Sequence, residues 1–311
     1  MLLIVSIHDD VHAQSVRRTL GDDRCLIWNP DWDDKLTLAV EFGNEPPNGG
    51  VRTGQGVIDM ERISAVWYRR PISAMPRRLF RTESYFVARE RDDGLEALLL
   101  MLQLNKVPVY NMPSANYAST AKPLQYSMAT GCGLKIPDTL ITNSPAAVRN
   151  FLAGHERCIL KGVSLSGLET DDKHYAVFVH EINDEILASM DHRLPQCPVT
   201  VQELIDWSSA ARILIIDEQI WCFTTDRADR LDWRTDLDAN WRLSRIPSGI
   251  ESSLIKLHRS MNLRYGCVDM LIDASGVWWF LETNANGQWL WLEEASGYPL
   301  SRNVGLSFLD R

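Results

Sequence analysis

Gly266-Cys267-Val268-Asp269-Met270-Leu271-Ile272, then Asp273-Ala274-Ser275-Gly276, then Val277-Trp278-Trp279-Phe280-Leu281-Glu282-Thr283-Asn284, is a stretch of two apolar runs joined by four turn-forming residues. It reads as a β-hairpin. A loop of two or four residues sets Ile272 opposite Val277, so that Asp269 faces Phe280 and Glu282 lies one diagonal further along. Side chains alternate along a strand, so Asp269, Glu282 and Asn284 then project from one face. Diagonal neighbours are about 7–8 Å apart at the backbone, within reach of one or two shared cations. A loop of three residues would instead turn Asp269 to the other face. Two carboxylates and an amide oxygen are hard ligands that suit magnesium carried in with nucleotide phosphates. The competing reading is a solvated face with incidental acids. Trp278, Trp279, Phe280 and Leu281 weigh against it, because they predict a largely buried strand, where a carboxylate needs a partner.

Two lysines are the natural counterpart of these acids. Lys161 ends the apolar run Cys158-Ile159-Leu160, and Lys122 falls in the first turn of a helix, where free amides and the helix dipole favour phosphate. Gly162-Val163-Ser164-Leu165-Ser166-Gly167 follows Lys161 and reads either as a plain surface loop or as a loop whose amides cover phosphates. It is not a Walker A sequence, and no strand-bound Gly-x-Gly-x-x-Gly occurs, so neither the P-loop nor the dinucleotide-binding fold is supported.

Three stretches surround these motifs. Up to residue 112 the signals alternate: strand Leu2 to Ile7, a helix capped by Asp9 or Asp10 and running to Leu20, strands Arg24 to Trp28 and Ile63 to Tyr68, and a long helix from Thr82 to Leu104. This alternation predicts a mostly parallel sheet. Residues 113 to 198 predict a helix ending at Gly131-Cys132-Gly133, which must begin near Ser119 or Thr120 to accommodate Pro123. Strand Ile136 to Thr142, a helix capped by Ser144, and strand Cys158 to Val163 follow. Residues 199 to 311 are strand-rich, with strands Val199 to Ile205, Arg212 to Ile216 and Ile220 to Thr224 ahead of the hairpin. A helix over Ser248 to Met261 precedes the hairpin, and another closes the chain.

Composition excludes several classes. The 311 residues suffice for two or three packed units of about 100 residues each. With 32 basic against 41 acidic residues the net charge is -9 and no basic block stands out, so no nucleic-acid or anionic-membrane partner is expected. The six cysteines lack any Cys-x-x-Cys pair and read as reduced core thiols of a cytoplasmic protein. The apolar start, Met1 to Ile7, is a buried strand rather than a signal peptide, and no run approaches a membrane span.

An early lysine, a second lysine at a strand end, a strand-borne Gln-Glu and a late Asp…Glu-x-Asn together resemble the ATP-grasp fold. More narrowly, Val66-Trp67-Tyr68-Arg69-Arg70-Pro71, Ile136-Pro137-Asp138-Thr139-Leu140-Ile141-Thr142-Asn143, Asp232-Trp233-Arg234 and Asn286-Gly287-Gln288-Trp289-Leu290-Trp291 resemble the microviridin-type peptide ligases, or graspetide synthetases. The resemblance runs over essentially the whole chain. It implies an α/β (α+β) chain with an N-terminal pre-ATP-grasp domain (1–112), a central ATP-grasp subdomain (113–198) and a C-terminal subdomain with the metal site (199–311).

The same resemblance implies an ADP-forming ligase that phosphorylates Asp or Glu side chains of a ribosomal precursor peptide. A Ser/Thr hydroxyl or Lys amine then attacks, giving an intramolecular ester or amide. Lys122 and Lys161 would bind the ATP phosphates, and the backbone of Gln202, Glu203 and Leu204 would read adenine. Asp206, beside Trp207, stands among the nucleotide-binding positions where a lysine would be expected. Asp269, Glu282 and Asn284 would hold two Mg2+ ions. Arg212 and Arg234 would face phosphate or the reacting carboxyl, as the bidentate guanidinium allows. Pro123, Gly162 where a proline is usual, and Ala285 in place of the proline of Glu-x-Asn-Pro depart from the family pattern without removing a phosphate or metal group. A homodimer stays open.

The remaining candidates concern the substrate. Arg69 and Arg70 read either as a surface pair meeting acids of their own sheet or as contacts to an acidic substrate, and their position at the end of an apolar strand favours the second. Trp289 and Trp291 read as core. The seven histidines are scattered, and none is assigned as a general base. A precursor's leader segment is expected between Tyr175 and Arg193, where Val177, Phe178 and Ile186 stand among Glu181, Asp184, Glu185 and Asp191. An ordinary amphipathic helix or hairpin explains that segment equally well. Two rival functions use the same fold: a ligase joining amino acids or adding glutamate to a protein tail, and a non-catalytic peptide-binding scaffold. The second would be expected to have lost a lysine or a metal carboxylate.

Overall fold

The computed structural model describes residues 1–29, 37–41, 48–53, 56–70, 83–163, 167–169, 174–176, 179–226 and 239–310. The N-terminal part comprises β1 (Leu2–Ser6), α1 (Val11–Leu20), β2 (Cys25–Trp28), β3 (Thr37–Glu41), β4 (Asn48–Thr53), β5 (Gly56–Asp59), β6 (Ala65–Arg70), α2 (Glu83–Leu104) and β7 (Val109–Tyr110). Strands β2-β1-β6-β7 form a parallel sheet, as the alternation of strand and helix signals predicts, and β3-β4-β5 form a separate antiparallel sheet. Every residue of β1 is buried. Asp10 caps α1, its carboxylate accepting from the His12 and Ala13 amides at 2.9 and 3.3 Å.

The middle of the chain adds α3 (Pro113–Ser119), α4 (Lys122–Gly131), β8 (Thr139–Thr142), α5 (Pro145–Leu152), β9 (Cys158–Lys161), β10 (Gly167–Glu169), β11 (His174–Ala176), β12 (His180–Glu181), α6 (Asp184–Arg193) and β13 (Val199–Glu203). The helix expected to begin near Ser119 or Thr120 is α4, which starts at Lys122 with Pro123 in its first turn, and a separate short helix, α3, precedes it. Strands β12-β9-β13-β8 make an antiparallel sheet. That sheet takes β13 from beyond residue 198, while the Tyr126 and Ala129 side chains of α4 pack in the C-terminal core with Leu254 and Val268. Both N-terminal sheets lie within residues 1–112, and the central sheet crosses residue 198 through β13.

The C-terminal part comprises β14 (Trp207–Ile216), β15 (Gln219–Asp226), β16 (Arg242–Ser244), α7 (Ser248–Ser260), β17 (Tyr265–Asp273), β18 (Trp278–Asn284), α8 (Leu290–Ser296) and α9 (Leu300–Ser307). Its sheet has the order β16-β15-β14-β17-β18, antiparallel throughout. One face packs on α4 and α7; the other shares a core with the N-terminal sheet, joining Ile4, Trp67 and Tyr110 to Leu214, Tyr265, Trp289 and Phe308. Each such fully buried aromatic or aliphatic side chain contributes about 1.5–3 kcal/mol relative to exposure. Trp289 is fully buried, as the sequence predicts, and Trp291 packs edge-on to Trp241 at 5.0 Å.

Asn111 locks the two sheets together. It adopts a left-handed backbone (φ 64), which Asn tolerates. Its amide donates to the Tyr265 and Ala285 carbonyls and accepts from the Arg264 and Tyr265 amides, at 2.7–3.2 Å. All four of its side-chain hydrogen bonds are thus made. No helix among the described residues is long and apolar enough to cross a membrane, and all six cysteines are free.

Candidate active site

The hairpin differs from the expected register in an instructive way. Asp273 faces Val277 around a three-residue loop with Gly276 in the left-handed region, and Ile272 pairs with Trp278, not Val277. The Asp273 carboxylate holds the loop, accepting from the Ser275 and Val277 amides and from Trp279 Nε1 at 2.9–3.0 Å. The Ser275 hydroxyl, which donates to it at 2.6 Å, is the largest cause of its pKa being pulled down to about 2, followed by Trp279 and the Val277 amide. Continued regularly, that register would place Glu282 on the opposite face from Asp269. A β-bulge between Asp269 and Met270 inserts Leu281 and brings Asp269 directly opposite Glu282. Leu281 and Glu282 then both line the cavity that Asp269 and Leu271 line, the signature of two bulged residues sharing a side. The acids meet as expected, by a route that the expected register did not contain.

Lys122, Lys161, Gln202, Glu203 and Leu204 line the same cavity. Lys122 Nζ lies 3.2 Å from Glu282. Gln125, one helical turn after Lys122, fixes that approach. Its amide donates to the Thr283 carbonyl at 2.9 Å and accepts from the Thr283 N–H at 2.7 Å, pinning α4 to β18 beside Glu282. Lys161 donates to Gln202 Oε1 at 2.8 Å and stands 5.8 Å from the centre of the Tyr126 ring. Gln202 in turn donates to the Thr139 hydroxyl at 2.7 Å. Burial first, and then the Glu282 charge, push the Tyr126 phenol up to about 12, so it stays neutral. Neither Gln125 nor Tyr126 stood out in the sequence. The only available signal was Gln125's helical spacing from Lys122, which places both on one face.

At the strand end the Glu203 amide donates to the Asp138 carbonyl and the Leu204 amide to the Arg157 carbonyl, both at 2.9 Å. Pro137, Ile159, Val179, Ile205 and Leu271 supply an apolar wall there. Such a wall beside a strand end is a surface an aromatic base could cover.

Arg212 faces Asp269 across β14 and β17 and reaches Asp269 Oδ1 at 2.6 Å, while its other terminal nitrogen donates to the Gln288 carbonyl at 2.8 Å. Burial disfavours its charge, yet the Asp269 carboxylate outweighs burial and raises its pKa. Arg212 therefore stands behind Asp269, orienting one carboxylate oxygen. Asn284 follows Glu282 on β18 as an exposed residue opposite Cys267, its amide oxygen accepting from the Asn286 N–H at 2.9 Å. Asp206 is exposed just before β14. Arg234, with the Asp232-Trp233-Arg234 motif, lies outside the described residues, as do residues 164–166 of the glycine-bounded loop.

The substrate candidates are placed differently from expectation. Arg69 is about 1% exposed, and its Nε donates to Asp10 at 2.7 Å. The structure thus places Arg69 inside the molecule against Asp10 rather than at the surface where a peptide contact was expected. The Arg70 side chain lies outside what is described. Glu181 forms a two-point ion pair with Arg157, each contact 2.7 Å. Asp184 and Glu185 are exposed in the first turn of α6, which Asn183 caps. Ile186 packs inward with Val148 and Met190 as part of the central core rather than as a peptide anchor. Val177 and Phe178 lie outside the described residues.

No family model and no curated protein matches the sequence. Solved structures do match. A RiPP-associated ATP-grasp ligase from Chryseobacterium gregarium, in complex with ADP and a leader and core peptide, is 23% identical with a TM-score of 0.81, over 99% of this chain and 96% of that one. The macrocyclase MdnC from Microcystis aeruginosa, bound with the precursor peptide MdnA, is 24% identical with a TM-score of 0.82 over 99% of each chain. The ATP-grasp ligase PsnB, complexed with a minimal precursor, Mg and ADP, is 24% identical with a TM-score of 0.79, over 99% of this chain and 96% of that one. This chain has the ATP-grasp fold. Within that fold, these three are ligases or a macrocyclase bound with a leader and core peptide or with a precursor.

The residues present fit a magnesium-bound nucleotide. Asp269 and Glu282 are paired on one face, and both lysines line the same cavity. Hard oxygen donors beside ammonium groups are the chemistry that a metal-bound polyphosphate requires.

Proposed function

We propose that this protein is an ATP-dependent, ADP-forming ligase that crosslinks a ribosomal precursor peptide by joining Asp or Glu side chains to hydroxyls or amines. The observation that carries the reading is the convergence of Lys122, Lys161, Asp269 and Glu282 on one cavity within an ATP-grasp fold. The precursor peptides bound to the similar structures support the choice of substrate.

The chemistry demands such a site. A carboxylate cannot acylate a hydroxyl directly, because its leaving group would be oxide or hydroxide. Transfer of the γ-phosphoryl group to the carboxylate gives an acyl phosphate, whose leaving group is phosphate. Lys122 and Lys161 would hold the phosphates, and the apolar wall below Glu203 and Leu204 would take the base, with Asp206 near the ribose. Magnesium, when bound by Asp269 and Glu282 with Asn284 close by, neutralises charge on the transferring phosphoryl group. Arg212 holds and aims one Asp269 oxygen, and Arg234 is assigned to phosphate or the reacting carboxyl by the family resemblance alone. Catalysis here is positioning and charge neutralisation.

A leader segment would bind the central sheet near Glu181, Asp184 and Glu185, whose exposed acids suit basic residues beside apolar anchors. The enzyme would act in the cytoplasm, where ATP and nascent precursor meet.

The test uses a short peptide rich in Thr and Asp/Glu, encoded beside the gene, with ATP and Mg2+. Each crosslink should remove one water from the peptide and release one ADP. AMP with pyrophosphate, or ADP without any peptide mass loss, overturns the reading.

A further inference from the structure

Two motifs that stand 218 residues apart, Trp67-Tyr68-Arg69-Arg70 and Asn286-Gly287-Gln288-Trp289, meet inside the molecule. The backbone leaving β18 is held at four consecutive residues by buried side chains. The Gly287 carbonyl accepts from the Tyr265 hydroxyl at 2.7 Å and from Arg69 at 3.4 Å. The Gln288 carbonyl accepts from Arg212 at 2.8 Å. The Trp289 and Leu290 amides both donate to His12 Nε2, at 3.0 and 3.2 Å. Two N–H donors on one ring nitrogen require its lone pair, so His12 is neutral and carries its proton on Nδ1. That nitrogen points at Asp10, 3.7 Å away, whose other carboxylate oxygen holds Arg69.

The turn has no slack. A Cβ on Gly287 would lie 2.2 Å from the Cys267 Cβ, so the backbone here is pressed against β17. Arg212 has two anchors, Asp269 and the Gln288 carbonyl. The position of that carbonyl is set by its neighbours, Gly287 on one side and the Trp289 amide on the other. Groups of the N-terminal sheet and α1 thus fix one end of the arginine whose other end fixes Asp269.

From this geometry we propose that Arg69 and His12 are positioning residues for the Arg212–Asp269 pair, acting through the backbone of residues 287–290. The proposal rests on the reading of Asp269 as a ligand of nucleotide-bound magnesium. It gives the Trp67-Tyr68-Arg69 and Gly287-Gln288-Trp289 motifs one shared task, the aim of a carboxylate that neither motif touches.

The test measures ADP affinity with and without Mg2+ on the intact protein, for His12→Met, His12→Gln and Arg69→Lys. Gln places an oxygen acceptor where His12 Nε2 stands; Met offers none. His12→Met and Arg69→Lys should each lose about tenfold of the Mg2+-dependent gain in ADP affinity, as changes behind a metal ligand do, and leave the metal-free affinity unchanged. His12→Gln should restore most of the gain. Ser301→Ala removes the Ser15–Ser301 hydroxyl contact at another point of the same interface, and serves as the control for general loosening. It should lower Tm and leave the Mg2+ gain intact.

A folded His12→Met with the wild-type gain overturns the proposal. So does a loss that His12→Gln fails to restore and Ser301→Ala reproduces. Should His12→Met not fold, Arg69→Lys carries the same decision. Failure of the peptide reading is separable: a protein that crosslinks no peptide, yet shows this pattern of ADP affinity, retains the positioning role.

Discussion

The C-terminal sheet and the central sheet each supply half of the candidate site, and they are built to different depths. Strands β14 and β17 are buried almost end to end, packed between α4 and α7 on one face and the N-terminal sheet on the other. Among the described residues the central sheet rests on the buried side chains of Val148, Cys158, Met190, Leu194 and Val201, and β8 is half-buried along its whole length. The acids therefore stand on a thick platform, and Lys161 and Gln202 on a thin one. Buried apolar contact sets the local free energy of opening, so the lysine side of the cavity opens more easily than the acid side. That difference suits a site that must hold metal-ligating groups still while nucleotide enters and leaves past the lysine.

The largest expected effect separates the two sheets by a pair of substitutions. Asp269→Asn strips the charge partner from buried Arg212 and should cost about 3–5 kcal/mol of stability. Lys161→Ala, on the thin sheet, should cost under about 1 kcal/mol. Both should lower ADP-forming turnover by about a hundredfold or more. Equal losses of stability in denaturant unfolding would break the comparison.

Next in size is a pH effect confined to the platform. His258 of α7 is fully buried against Thr283, with its Nε2 3.0 Å from the hydroxyl, and burial lowers its pKa to about 4. The unfolded chain takes up a proton near pH 6.5 and the folded chain does not. Stability is therefore full above about pH 6.5 and falls as pH drops toward 4. Thermal melts of wild type should lose several degrees over that window, and His258→Gln should flatten the loss. An unchanged slope in the variant sinks the assignment to His258.

The smallest effect belongs to the central sheet's rim. Arg157 and Glu181 are exposed, so Glu181→Gln should change stability by less than about 1 kcal/mol despite two short contacts. If Glu181 also takes part in leader binding, the same substitution weakens precursor affinity with Tm unmoved. A large drop in Tm instead would make this pair a structural support, and the thin sheet less thin than its packing implies.

The parallel N-terminal sheet, the Asp10 cap and the burial of Trp289 were legible, because each depends on local pattern. Lys122 and Glu282 stood out separately, one for phosphate and one for metal, and the structure brings them within 3.2 Å of each other. Arg69 was not legible. Its partners Asp10, Tyr265 and the Gly287 carbonyl are scattered through the chain, and an arginine ending an apolar strand looks the same in sequence whether it faces solvent or a buried acid. The β3–β5 sheet was also missed, because Asn48-Gly49-Gly50 reads as turn chemistry while its backbone pairs in β4. The hairpin register escaped because a bulge leaves no mark in hydrophobic alternation when Leu281 and Glu282 share a side.

The hairpin's loop and bulge carry a constraint of parity. An odd loop, such as Ala274-Ser275-Gly276, reverses which face Asp269 takes relative to Glu282, and one extra residue in the ladder reverses it again. Deleting a single loop residue nonetheless leaves Asp273 opposite Val277 around a loop of two, so the ladder and the pairing of the acids should survive. Deleting Leu281 removes the bulge and leaves Asp269 opposite Glu282 in a regular ladder, whereas sliding the ladder by one residue should part the two acids. Length at this turn is then free to vary as long as Asp273 stays opposite Val277, and a site four residues from its own turn is guarded by the register of the ladder, not by the span of the loop.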